Sequence, residues 1–159
     1  MIGCFIFNTF IVGGKNASLG EMTRNLGCFG IDVPNGYVVT TAGYLKFIEH
    51  NKLQHSIDTL LSDIKDNDIV SLRRCGLKIR ELIQNAEFPE QLEKDIVSAY
   101  SRLSSDYLDV NGSEQTATDV AVRSSSTAED LQNASFAGQQ ETYLNVRGKS
   151  QVLGTSVRV

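Results

Sequence analysis

The chain has 159 residues, enough for one domain with a hydrophobic core and too few for two domains of ordinary size. Hydrophobic residues make up 41% and charged residues 21%, which excludes collagen-like and strongly disordered chains. The net charge of −4 argues against general nucleic-acid binding, so placed cations or backbone N–H groups must hold any anionic ligand. Three widely spaced cysteines without a C-x-x-C pair indicate thiols in a reducing compartment, rather than disulfides or a zinc site.

The first twelve residues are mostly apolar and precede a glycine turn at 13–14. This stretch is too short to span a bilayer and has no cation before Lys15, so we expect a β-strand rather than a signal peptide. A helix of about four turns is expected next, ending near Gly27 and Gly30. Its apolar face is predicted from four residues at helical spacing: Leu19, Met22, Leu26 and Phe29.

A second strand is expected at 37–40, where β-branched and aromatic residues cluster, and Thr40 or Thr41 is expected to cap the following helix. Three further segments repeat apolar residues at helical spacing, and we expect each to face the core rather than a partner. They are 57–64, 69–82 and 92–103, the last opened by Pro89 in its first turn.

Residues 104–118 lose this periodicity and are expected to form a surface loop. Strands are expected at 119–123 and at 142–146, with a short helix between them that starts at Ser126 through a capping box with Glu129. The sequence therefore predicts a single α+β domain over 1–159, helix-rich with a small sheet.

Three clusters of small and polar residues are candidates for a binding site. Gly14 and Lys15 combine close backbone approach with an amine beside free helix N–H groups, which suits phosphate. The second cluster is 123–127: Arg123 ends a strand, where its planar donors suit phosphate oxygens, and the hydroxyl groups that follow from Ser124 to Thr127 can cap, line a polar pocket or bond phosphate. The third cluster can lie over a ligand; it comprises Gly138, Gln139, Gln140, Glu141 and Thr142. Taken singly, each cluster also fits an ordinary turn, a capped strand end or a polar β-turn.

Catalytic residues and metal ligands are not expected within this chain. His50 and His55 have polar neighbours in helical segments and are expected at the surface. Glu129 and Asp130 are adjacent, so they point apart on a helix and favour dipole compensation over acid–base chemistry.

Four segments together carry a resemblance that none carries alone. They are 12–22 (VGGKNASLGEM), 33–37 (VPNGY), 120–125 (VAVRSS) and 135–142 (SFAGQQET). In this order they resemble the N-terminal ATP-binding domain of the phosphoenolpyruvate synthase (pyruvate, water dikinase) family, over about residues 12–149. Pyruvate phosphate dikinase and rifampicin phosphotransferase share this type of domain and remain alternatives, although the amino-acid sequence of the first segment favours the synthase.

The resemblance implies the N-terminal part of an ATP-grasp-like domain, in a cytoplasmic protein that binds ATP with Mg²⁺. In the family, a lysine and an arginine at the positions of Lys15 and Arg123 contact the nucleotide phosphates, and a loop corresponding to 138–142 covers them. The parent reaction converts ATP, pyruvate and water into phosphoenolpyruvate, AMP and phosphate. Its metal ligands, acceptor histidine and pyruvate-binding domain are expected in parts of the family's sequence that this chain lacks.

We therefore expect an ATP-binding fragment that is not catalytic alone, with a divergent tail at 150–159 and no nucleic-acid or membrane partner. Two alternatives stay open. One is a stand-alone, non-catalytic binding or regulatory module, which would self-associate through an apolar face that normally meets the missing subdomain. The other is a gene remnant of marginal stability.

Overall fold

The computed structural model describes residues 2–3, 8–64, 68–107, 117–127 and 141–159. Within these ranges the chain is rich in helix and has two small antiparallel sheets, in keeping with the α+β class. The elements are β1 Ile2–Gly3, α1 Thr9–Leu26, β2 Val38–Val39, α2 Thr41–His50, α3 Leu53–Ser62, α4 Ile69–Gln84, α5 Glu90–Asp106, β3 Asp119–Arg123, β4 Thr142–Arg147 and α6 Lys149–Ser156.

The segment before the glycine turn is helical, where the sequence pattern predicts a strand. Asn8 caps it: the Asn8 Oδ1 accepts a hydrogen bond from the Phe10 N–H at 3.0 Å. This side-chain oxygen satisfies one of the N–H groups that a helix start leaves without a partner, which favours a helical turn over 9–12. Among the described residues before this turn, strand is confined to β1, which pairs with β2.

Helix α1 is broken at Gly13, which has a left-handed φ of 77° and a ψ of 165°. The α-helix ends at Leu26 and is followed by a 3₁₀ turn over Gly27–Phe29. Gly30 terminates this turn with a φ of 73°, so the helix ends where Gly27 and Gly30 predict. The predicted apolar face is wrong, because Phe29 is 76% exposed while Ala17 and Gly20 are buried. Small residues let this helix lie close to α2 and β2.

The core is built from α2, α3, α5, β4 and α6. It comprises Phe47, Ile48, Leu53, Leu92, Ile96, Tyr100, Val146 and Val152. The predicted face of α5 is confirmed, since its apolar residues are buried through Leu103. The same helix corrects the start of the predicted loop at 104–118, because α5 continues to Asp106, whereas 108–116 lie outside the described residues. At the other end, the Thr118 N–H donates to the buried Ser104 Oγ at 3.2 Å. That hydrogen bond lets a polar residue stay inside the core.

Strands β3 and β4 form an antiparallel hairpin whose register shifts between Val120 and Val122. Between the paired positions, β4 has one residue more than β3, and Asn145 there has a φ of 56°. This bulge resets the alternation along β4, so that Tyr143 and Val146 both pack against the core. Arg123, the last residue of β3, is paired with Thr142, the first residue of β4, and both are exposed.

Helix α6 lies in the stretch that the sequence pattern sets apart as a tail. It packs against the hairpin and α5, and its Val152 is only 2% exposed. Leu153 and Val157 add to the same core cluster. This stretch therefore contributes three apolar side chains to the hydrophobic core.

Candidate functional site

The glycine turn lies directly against the segment that follows β3. A Cβ at Gly13 would overlap the carbonyl oxygen and the Oγ of Ser125. The Asn16 N–H donates to the Ser125 Oγ at 3.2 Å, across 109 positions of sequence, and the Gly14 N–H donates to the Ser126 carbonyl at 3.4 Å. The first two predicted clusters are therefore held together by direct contacts.

Asn16 repairs the break that Gly13 makes in α1. In an uninterrupted helix, the Asn16 N–H would donate to the carbonyl of Val12, four residues earlier. Here that N–H turns to Ser125, and the Asn16 Nδ2 donates to the Val12 carbonyl at 3.0 Å instead. The buried carbonyl of Val12 thus keeps a partner while the backbone of the turn is free to meet the other segment.

Lys15 lies between the two residues whose amides contact the other segment. Arg123 precedes Ser125 by two residues and ends β3. An extended chain spans at most about 3.6 Å per residue, so the Arg123 Cα lies within about 7 Å of the Ser125 Cα. Lys15 and Ser124 are half-buried, and Arg123 is exposed on the strand. The structure thus brings two cation-bearing backbone segments into one region.

The third predicted cluster is described only in part. Gly138, Gln139 and Gln140 lie outside the described residues. The short helix that was predicted to start at Ser126 also lies outside them from position 128 onward. Thr142 is the strand partner of Arg123, which puts the described end of this cluster beside the second one. Glu141 accepts a hydrogen bond from the hydroxyl of Tyr143, and this bond raises the pKa of Tyr143 above its usual range.

The remaining candidate groups lie apart from this region. His50 and His55 are exposed, as predicted, at the end of α2 and within α3. In the described ranges, no three histidine, cysteine, aspartate or glutamate side chains are grouped so as to hold a metal ion. None of the helices described is both long and apolar enough to cross a membrane.

The geometry changes the expected chemistry of the turn in one respect. Free helix N–H groups were predicted beside Lys15, but the N–H groups of its neighbours Gly14 and Asn16 both donate to residues 125–126. A phosphate group here would therefore depend on the lysine and arginine cations more than on these two amides. Two cations near a glycine turn, with small hydroxyl residues between the segments, suit a polyphosphate electrostatically.

Sequence reasoning placed Ser125 in a run of hydroxyl residues that could bind phosphate, but it assigned no role to Asn16 and no contact between the two residues. The available signal was local: a glycine doublet that breaks a helix leaves carbonyls without partners, and the amide side chain that follows can replace the lost donor. The contact partner itself is 109 residues away and has no local signature.

Comparisons with known proteins agree on one family. The family model for the pyruvate phosphate dikinase AMP/ATP-binding domain matches residues 9–159. The phosphoenolpyruvate synthase of Aquifex aeolicus (strain VF5) is 51% identical over 143 residues, which cover 90% of this chain and 16% of the relative. That of Pseudomonas aeruginosa (strain UCBPP-PA14) is 45% identical over 148 residues, covering 93% and 18%. That of Escherichia coli (strain K12) is 46% identical over 142 residues, covering 89% and 17%.

The chain spans less than a fifth of the length of these curated relatives. The family match includes the glycine turn, the end of β3 and helix α6. The similarity therefore concerns one domain type and covers both segments that meet at the contact between Asn16 and Ser125.

Proposed function

Because this chain belongs to the pyruvate phosphate dikinase AMP/ATP-binding domain family, we propose that it binds the phosphates of ATP with Lys15 and Arg123. The observation that carries the proposal is the contact between the Gly13–Asn16 turn and Ser125, which joins the two cation-bearing segments. Arginine and lysine stabilise phosphate oxygens through charge-assisted hydrogen bonds. The residues Gly14, Ser124, Glu141 and Thr142, together with 138–140, complete the proposed site.

The proposal extends to the parent reaction. The relatives are named phosphoenolpyruvate synthases. The reaction of such a synthase converts ATP, pyruvate and water into phosphoenolpyruvate, AMP and phosphate. We propose that this chain supplies part of an ATP-grasp-like nucleotide site for such a phosphoryl transfer and does not complete it alone. The corresponding domains of pyruvate phosphate dikinase and rifampicin phosphotransferase are the alternatives.

The proposal assigns no magnesium ligand to this chain. Mg²⁺ that is bound with a nucleotide takes phosphate oxygens and waters as ligands, usually with only one or two carboxylates. In the proposal the ion accompanies the nucleotide phosphates. A cytoplasmic location is also part of the proposal, and it is supported by the free thiols of Cys28 and Cys75.

Thermal melting with and without ATP and Mg²⁺ tests the proposal. A ligand at 100 times its Kd adds about 2.7 kcal/mol to the free energy of unfolding, which corresponds to a rise in Tm of several degrees. We expect this shift in the wild type and its loss in Lys15→Ala and in Arg123→Ala. Lys46→Ala and Arg102→Ala remove exposed cations from α2 and α5, and both should keep the shift.

Two results would contradict the proposal. One is a cooperatively folded wild type whose Tm does not respond to ATP. The other is an equal shift in the wild type and in both site variants, which would show that ATP binds elsewhere. Robust conversion of pyruvate by the purified chain would contradict only the statement that it is not catalytic alone.

A second candidate function is a stand-alone module that binds a second copy of itself. It is favoured by large apolar side chains at the surface of the described part, where Phe10 is 80% and Phe29 is 76% exposed. Sedimentation velocity over a range of concentrations tests it. A monomer at every concentration would count against self-association, and a dimer weakened by Phe29→Ser would support it.

A further inference from the structure

We propose that Ser125 is a positioning residue for nucleotide binding, which holds the Lys15 turn in place through the Asn16 amide. This inference rests on the proposed function and states how the position of Lys15 in that site is maintained. It is based on the hydrogen bond from the Asn16 N–H to the Ser125 Oγ at 3.2 Å.

The turn needs an external restraint because two adjacent glycines precede Lys15. Glycine has the widest backbone freedom of any residue, and Gly13 already adopts a left-handed φ of 77° outside the helical range. The first hydrogen bonds of a helix are also the ones that open most readily. The direction in which Lys15 leaves the turn is therefore fixed by contacts with other segments rather than by its own helix.

Two hydrogen bonds supply such contacts, and they differ in quality. The Gly14 N–H lies 3.4 Å from the Ser126 carbonyl, at the long end of the range for a hydrogen bond. The Asn16 N–H lies 3.2 Å from the Ser125 Oγ and has been released from its own helix to make this contact. Of these two tethers, the shorter one depends on a single hydroxyl group.

The position of Ser125 also connects the tether to Arg123. Ser125 follows the arginine by two residues, and its carbonyl oxygen and Oγ occupy the place that a Cβ would take at Gly13. One residue thus sets how close the strand end comes to the lysine turn. Removal of its hydroxyl should loosen the spacing between the two cations without removing either of them.

The experiment measures ATP affinity by isothermal titration in the presence of Mg²⁺. A hydrogen bond of ordinary strength predicts that Ser125→Ala weakens ATP binding about fivefold. Ser18→Ala is the matched control, because it removes an exposed hydroxyl from the same helix two residues after Asn16 and should leave the affinity unchanged. In a Lys15→Ala background, titrated at the higher ATP concentrations at which this weaker variant still binds, Ser125→Ala should change the affinity by less than about twofold, since the residue acts through Lys15.

A fivefold loss of equal size in both backgrounds would overturn the positioning role, because a merely structural defect does not depend on Lys15. Unchanged ATP affinity in Ser125→Ala would overturn it as well, while leaving the proposed function intact. A wild type that binds no ATP would overturn the proposed function and the role of Ser125 within it.

A measurement on the wild type keeps the inference testable even if Ser125→Ala does not fold. Amide hydrogen exchange followed by NMR should show the Asn16 amide exchanging at least about tenfold more slowly than a freely exposed amide of the same sequence context. Exchange of the Asn16 amide at the unprotected rate would show that the tether does not form in solution and would overturn the proposal.

Discussion

Gly13 combines two constraints that only glycine satisfies. Its φ of 77° lies in the left-handed region, and the place of a Cβ is taken by the carbonyl and hydroxyl oxygens of Ser125. The first constraint is conformational and the second is steric, so no other residue type relieves both. The close approach of the two segments thus depends on the absence of a side chain at this one position.

We predict that Gly13→Ala lowers the free energy of unfolding by about 3 kcal/mol. A φ of 77° with a ψ of 165° lies in a region that is essentially confined to glycine and costs another residue about 1–3 kcal/mol. The overlap with Ser125 adds a cost typical of overpacking, about 1–3 kcal/mol. Urea denaturation followed by circular dichroism measures the difference. Gly76→Ala is the control: this glycine lies in the middle of α4 with open space around it, so alanine should stabilise the protein by about 1 kcal/mol.

A loss below about 1 kcal/mol in Gly13→Ala would mean that the turn and Ser125 separate at little cost. That result would weaken the case for a fixed spacing between Lys15 and Arg123. A loss of similar size in Gly76→Ala would instead point to a general sensitivity of the helices to substitution.

At the scale of elements, the β3–β4 hairpin depends on helix α5. The hydroxyl of Tyr100 donates to the Thr118 carbonyl at 2.6 Å and accepts from the Gly148 N–H at 2.8 Å. Thr118 directly precedes β3 and Gly148 directly follows β4, so one side chain closes the open end of the hairpin. Tyr100 is 1% exposed, and water cannot replace these hydrogen bonds if the hydroxyl is removed.

We predict that Tyr100→Phe lowers the free energy of unfolding by about 2 kcal/mol, because it removes one hydrogen bond from the Thr118 carbonyl and one from the Gly148 N–H, both in half-buried residues. Tyr107→Phe is the matched control, since its exposed hydroxyl accepts only from the Asn35 N–H among the bonds described here and should cost less than about 1 kcal/mol. Denaturation curves of the two variants provide the comparison. Equal losses in both would show that the hairpin does not depend on the buried hydroxyl.

The elements also show what could be predicted from the sequence. Strand β3 has the predicted bounds, and α5 buries the predicted face, because both carry strong, unbroken apolar periodicity. The predicted buried face of α1 was wrong, because the helix packs through Ala17 and Gly20, which are too small to stand out in a hydrophobic pattern. The bulge at Asn145 and the contact between Asn16 and Ser125 arise from pairing between distant segments, which local patterns do not encode.

At the scale of the whole molecule, helix α6 joins the core although its sequence has little amphipathic character. Val152 is its one fully buried side chain, and it packs in the same cluster as Ile96 of α5 and Val146 of β4. The final described segment therefore contributes to the same cooperative unit as the helices and the hairpin.

We predict that Val152→Ala lowers the free energy of unfolding by about 2 kcal/mol, through lost burial and the cavity left behind. Val70→Ala is the control, because Val70 is 66% exposed on α4 and its replacement should change stability by no more than about 0.5 kcal/mol. Thermal melts of both variants make the measurement. A neutral Val152→Ala would show that α6 unfolds separately from the rest.

The closure of the hairpin by Tyr100 has a consequence for how such a domain can diverge. The strands are aligned at the end next to α5 and by the bulge between them, so their register does not depend on the connection at 124–141. Insertions and deletions at 128–134, between the residues held against the glycine turn and the third predicted cluster, can therefore accumulate over evolution without sliding one strand past the other. We expect length variation within the family to concentrate there, while the distance from the buried tyrosine to each strand end stays constant.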